Sequence, residues 1–138
     1  MKPPLRTILF ILSAAVAFAV ATFFVSGEDN DGDGGGTQRY QSAAAVVEAL
    51  EAEGVTCRDY KRLDAPQESI LDFGLCFLSE GHEYESDIYV FEEASARDSW
   101  IQSFDGKVGM LVGENWFITN GSDKELKTLQ EALGGEIR

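Results

Sequence analysis

Residues 70–91 read ILDFGLCFLSEGHEYESDIYVF. Ile70 to Leu78 is a strongly apolar run with Leu71, Phe73, Leu75 and Phe77 at alternate positions, the spacing that puts side chains on one side of a strand. Ser79 to Glu83 (SEGHE) is a polar loop, and Tyr84 to Phe91 (YESDIYVF) alternates again. Two such runs joined by a short polar loop predict an antiparallel β-hairpin. Gly74 inside the first run marks a bulge or a close backbone approach.

Working outward, Ser42 can cap a helix through Glu53, with Ala43, Val46, Val47 and Leu50 on one face and Gly54 at its end. Val55 to Leu63 (VTCRDYKRL) reads as a strand with Val55, Cys57 and Leu63 inward, and Asp64-Ala65-Pro66-Gln67 as a turn. After the hairpin, Ser95 with Asp98 suggests the start of a second helix, burying Trp100, Ile101 and Phe104 before Asp105-Gly106 ends it. Met110-Leu111-Val112 and Trp116-Phe117-Ile118-Thr119 flank Gly113-Glu114-Asn115 as a second hairpin. A capping box, Ser122-Asp123-Lys124-Glu125, opens a last helix with Leu126, Leu129 and Leu133, which Gly134 stops. The order is α-β-β-β-α-β-β-α. It predicts an α+β domain over 42–138, with about five strands in one antiparallel sheet and three helices against it.

The N-terminus decides the compartment. Lys2 and Arg6 precede Thr7 to Ser26 (TILFILSAAVAFAVATFFVS), which carries no charge and has the length to cross a bilayer. Basic residues before the run and acidic ones after it place residues 1–6 inside and the rest outside. Ala19-Val20-Ala21 also fits a signal-cleavage site, so a secreted form is the alternative. The expectation is a single-pass protein anchored in the cell membrane through residues 7–26, with residues 27–41 as a flexible acidic linker. Asp29, Asp31, Asp33 and Gly34 open like a calcium loop, but Tyr40 stands where the twelfth-position Glu belongs, and Gly34-Gly35-Gly36 favours a tether.

The net charge is -13, and from residue 27 onward nine basic residues face 24 acidic ones. That excludes nucleic acid as a natural partner and disfavours anionic membrane surfaces. Export makes the two cysteines, Cys57 and Cys76, a disulfide pair.

No nucleophile motif, zinc motif or phosphate loop occurs. His82 lies in a polar loop beside Glu83. Glu83, Glu85 and Asp87 alternate along a strand and are weak candidates for a hard-cation site, and Glu83 with Asp87 for an acid pair. Asn120-Gly121-Ser122 fits a glycosylation acceptor but reads better as a loop and cap. Trp116 reads as core, with an exposed binding aromatic as the alternative.

Taken together, EALEAEGVTC, GLCF, IYVFEEASARDSWI, VGENWFITN and the terminal EALGGEIR resemble a group of small exported two-cysteine proteins of high-GC Gram-positive bacteria, membrane- or lipid-anchored and without an established activity. The resemblance covers roughly residues 42–138 and implies compartment and architecture only; the lipid-attachment cysteine of many relatives is absent. The expected function is an extracytoplasmic binding module with no catalysis and no cofactor, its partner a protein or polymer of the cell envelope. The alternatives are a hydrolase-like enzyme using an acidic pair and a weak divalent-cation binder.

Overall fold

A computed structural model describes residues 38–78, 85–104, 106, 108–120 and 122–138. The apolar run 7–26, most of the linker, His82 and Glu83 lie outside the described residues. Among the described residues no helix is long and apolar enough to cross a membrane.

Three helices, α1 (Ala43–Ala52), α2 (Ala94–Ile101) and α3 (Asp123–Leu133), accompany six strands: β1 (Arg58–Leu63), β2 (Ile70–Phe77), β3 (Glu85–Phe91), β4 (Met110–Val112), β5 (Trp116–Thr119) and β6 (Glu136–Ile137). One antiparallel sheet joins them in the order β1-β2-β3-β5-β4-β6. The fold is therefore α+β with an antiparallel sheet, one strand larger than the sequence predicts. β6 is only two residues long and follows Gly134 and Gly135, both at positive φ. Those glycines turn the chain back against β4, a return that side-chain periodicity does not encode.

Helix starts follow local chemistry. Ser42 Oγ accepts from Ala45 N–H at 3.1 Å, and Ser122 Oγ accepts from Glu125 N–H at 3.4 Å, as their spacing predicts. Helix α2 begins one residue before Ser95, and its N-cap, Glu93, makes no side-chain capping bond. Ser95 is thus a helix residue, with its carbonyl accepting from Ser99 Oγ at 3.0 Å.

Strand alternation divides the core in two. On one face, Ile88 and Val90 of β3, Trp116 and Ile118 of β5 and Leu111 of β4 meet Val46 and Leu50 of α1 and Leu126 and Leu129 of α3. On the other, Tyr89 and Phe91, Phe117, and Met110 and Val112 meet Trp100, Ile101 and Phe104 from α2 and the 3-10 turn after it. Cys57 and Cys76 form the disulfide within the first cluster, with their Cα atoms 5.4 Å apart.

In β2 the alternation runs opposite to expectation. Ile70, Asp72, Gly74 and Cys76 are buried, whereas Phe73, Leu75 and Phe77 are half-buried and Leu71 is 42% exposed. The register shift between Ile70 and Asp72 leaves Leu71 outward. Gly74 is a close approach: a Cβ there would meet the Tyr60 ring at 2.7 Å. Leu63, expected inward, is 39% exposed on the edge strand.

Among the described residues, Gln38 to Tyr40, ahead of the expected start at Ser42, already pack against the domain. Tyr40 is buried against Trp116, with ring centroids 5.9 Å apart. Its N–H donates to Asn115 Oδ1 at 2.9 Å, and its carbonyl accepts from Asn115 Nδ2 at 2.8 Å. Trp116 Nε1 donates to the Gln38 carbonyl at 3.0 Å. The twelfth position of the apparent calcium loop therefore belongs to the core.

Candidate functional site: the uncovered part of the sheet

Helix α1 with α3 closes one face of the sheet, while α2 packs over β3 and β5 on the other. The remainder of that second face, from β1 to β3, is the candidate site. Cross-strand partners share a face, so the register gives its rows directly. One row is Lys61–Leu75–Asp87–Thr119, and the next is Leu63–Phe73–Tyr89–Phe117. In the second row Phe73 stacks on Tyr89 at 4.7 Å between centroids, and Tyr89 on Phe117 at 4.6 Å. Trp100 and Phe104 close over Tyr89, each at 6.2 Å. Toward β1 the cover ends: Phe73 and Leu75 are half-buried, Leu63 is exposed, and Leu75 joins neither core cluster.

Asp87 stands at the boundary between the covered and the open parts. Its backbone N–H donates to Thr119 Oγ1 at 3.3 Å. Loss of hydration pushes its carboxyl above the ordinary Asp range, the nearby Glu85 charge adds to that, and the hydrogen bond from Tyr89 works against it. Burial, then the charge of Asp87 and that same bond, raise the Tyr89 hydroxyl, which stays protonated and donating. Glu85 and Asp87 do share a face, as their spacing predicts, opposite Phe77 and Leu75 respectively. Glu85 is exposed and Asp87 half-buried. Among the described residues no group of three or more His, Cys, Asp or Glu side chains is placed to hold a metal ion.

The motifs that carry the sequence resemblance hold the fold. Asn115 is buried and bridges Tyr40 to the Phe91 carbonyl, which accepts from Nδ2 at 2.8 Å. Arg97 donates to the carbonyls of Gly113 and Glu114 and pairs with Asp98 at 2.7 Å, tying α2 to the β4–β5 turn. At Gly113 any Cβ would meet the Trp116 indole at about 2 Å, so that turn admits glycine alone. Trp116 is fully buried, settling it as core. Asn120 is buried too, and its Nδ2 donates to Ser86 Oγ at 2.6 Å, which leaves no room for a glycan.

Sequence reasoning missed one buried acid. Asp72 accepts from the Ala43 N–H at 2.8 Å and from Arg62 Nε at 2.7 Å, so it binds the start of α1 to β1. An Asp in an apolar strand was the available signal. With Arg62, Leu63, Asp64, Ala65 and Leu71 it lines an open cleft of about 320 Å³. A second cleft lies between α3 and the chain entering β1, lined by Val55, Leu78, Glu125, Thr128 and Leu129, about 130 Å³.

No protein-family model, no curated protein and no solved structure matches the chain.

Proposed function

We propose that this is a membrane-tethered, extracytoplasmic interaction module of a bacterial cell envelope, which docks its partner on the uncovered β1–β3 part of the sheet and catalyses nothing. One observation carries the reading: the strip of Leu63, Phe73 and Leu75 that α2 leaves open, with Asp87 at its border. Apolar side chains on a rigid sheet give up little entropy on docking, and a bordering carboxylate adds orientation more than affinity. The disulfide supports export, since such bonds persist in oxidising compartments. The uncharged run 7–26 supports the tether.

The test replaces Leu75 by a photocrosslinking residue in the full chain and irradiates intact cells. A discrete adduct at position 75, absent when the same probe replaces the exposed Val108, is the expected result. Adducts of equal yield at both positions, or none at 75, would sink the docking surface. Fractionation with N-terminal sequencing tests the tether separately: a chain in the medium beginning at Thr22 or Glu28 means the segment is cleaved.

A further inference from the structure

We infer that the cleft between α3 and the chain entering β1 is a binding site for a protonated aliphatic amine, with the Glu125 carboxylate as the group that holds the ammonium. It lies on the α1–α3 side of the sheet and is independent of the docking strip. Val55, Leu78 and Leu129 give it apolar walls, and Glu125 and Thr128 line it from the helix. Outward it opens into a wider mouth of about 640 Å³, which Gly54, Thr56 and Arg58 help to line.

Glu125 is available to this cleft because the capping box is only half built. A Glu at the third helical position ordinarily reaches back to the N–H of the capping residue. Here the Ser122 N–H donates to Asn120 Oδ1 at 2.7 Å, so that place is taken. The Glu125 N–H still donates to Ser122 Oγ, but its side chain borders the cleft. There Oε2 is buried and accepts no hydrogen bond from the protein. A carboxylate oxygen held out of water without a donor is a cost that a bound donor removes.

The surroundings select the donor's chemistry. Among the described residues no basic side chain forms an ion pair with Glu125, and Arg58 has an interaction of its own. Helix α1 ends at the mouth with no basic residue in its last turn, so its negative end adds to the carboxylate. Thr128 Oγ1 donates to the Lys124 carbonyl at 3.2 Å, which commits its proton and leaves its lone pairs to accept. A hard metal ion wants about six to eight oxygen ligands, which this cleft does not offer. An alkylammonium has three N–H donors to place and a stem to lay against Val55, Leu78 and Leu129. A cavity of about 150 Å³ takes one benzene, so the inner cleft, at about 130 Å³, takes a short unbranched stem. Arg58 at the mouth disfavours a second positive charge, which sets a monoamine apart from a diamine.

The test titrates n-butylammonium chloride and, separately, 1-butanol into the full chain in an uncharged detergent, with methyl groups labelled for NMR. The amine is expected to shift the methyls of Val55, Leu78 and Leu129, with half-saturation near ~1 mM. Leu63 and Leu75 on the sheet face should stay unmoved. Butanol has the same length without the charge and should bind at least about tenfold more weakly. Glu125→Gln should weaken the amine about tenfold, through loss of a charge-assisted bond, and Thr128→Val about threefold. Asp123→Asn, an exposed acid of the same helical turn, should leave binding unchanged. Methyl positions retained elsewhere in each variant certify the fold. Equal binding of butanol and amine, or an unaltered affinity in Glu125→Gln, would overturn the site. An equal loss in Asp123→Asn would do so too, by reducing the effect to the general negative charge of the chain. The absence of any saturable shift overturns it outright.

Discussion

Trp116 and Trp100 stand on opposite sides of the same sheet and are held in different ways. Trp116 is fully enclosed by α1, α3 and the disulfide, and its Nε1 donates to the Gln38 carbonyl. Trp100 is half-buried on α2, and its Nε1 is buried without a partner. The first face is sealed by two helices and an arm of chain, although the Tyr60 hydroxyl and Glu125 Oε2 are buried there without a partner. The second is closed over β3 and β5 by one short helix with no buried residue, and left open toward β1. A face finished to that degree on one side only is the physical basis for placing the interaction surface on the other.

The largest expected effect breaks the sealed side. Trp116→Ala removes the fully buried indole and should cost about 3–5 kcal/mol in urea unfolding. Trp100→Ala should cost less, ~1–2 kcal/mol, because its ring is only partly enclosed and its N–H has no bond to lose. Equal costs would mean that the two faces are equally closed. Second in size is the disulfide, which ties the chain before β1 to β2 beneath α1. A Cys57→Ser, Cys76→Ser double variant should lose ~3 kcal/mol, the value expected for a loop of this length. Mass measurement of the untreated protein should show two hydrogens fewer than the reduced chain.

The contrast between faces also explains what could be read from residues alone. Both capped helices, α1 and α3, were legible because Ser42 and Ser122 act locally. The hairpin of β4 and β5 and the antiparallel sheet were legible from alternation and turn residues. The phase of β2 was not. The sealed side of that strand holds Asp72, Gly74 and Cys76, each there for a partner: the start of α1, the Tyr60 ring, and Cys57. A rule that sends the largest apolar residues inward chooses Phe73 and Leu75 instead, and these form the surface now proposed for docking. The expected acid pair was half legible, since alternation does place Glu85 and Asp87 together. What it cannot supply is their unequal burial, which depends on Tyr89 and Thr119 from neighbouring positions of the sheet.

Third comes the acid of the sealed side. Asp72→Asn keeps the shape but leaves one acceptor oxygen where the carboxylate has two, so it loses the bond from either Arg62 Nε or the Ala43 N–H and weakens the other. A loss of about 1–2 kcal/mol is expected, falling on the start of α1. Hydrogen exchange should quicken in the first turn of α1 before it does in β3. Uniform quickening throughout the domain would deny Asp72 its local role.

The smallest effect has the opposite sign and concerns Asp87. Its folded carboxyl titrates above the ordinary Asp value, chiefly through lost hydration and then through Glu85. Below about pH 4 the group is protonated in both folded and unfolded chains and exerts no penalty. As the pH rises from there, the unfolded chain ionises first. The folded domain therefore loses stability through the window up to its own raised pKa, and carries the full penalty above it. Asp87→Asn removes that penalty and can still accept from the Tyr89 hydroxyl. At pH 7 the variant should be equal to or more stable than the parent, by no more than roughly 0.5 kcal/mol. The difference should vanish as the pH falls below about 4. Urea midpoints at pH 3.5, 5 and 7, with the ionic strength fixed, measure it. An advantage that grew on acidification would mean that Asp87 is paired in the folded monomer as Asp72 is, and the two acids would no longer distinguish the two faces.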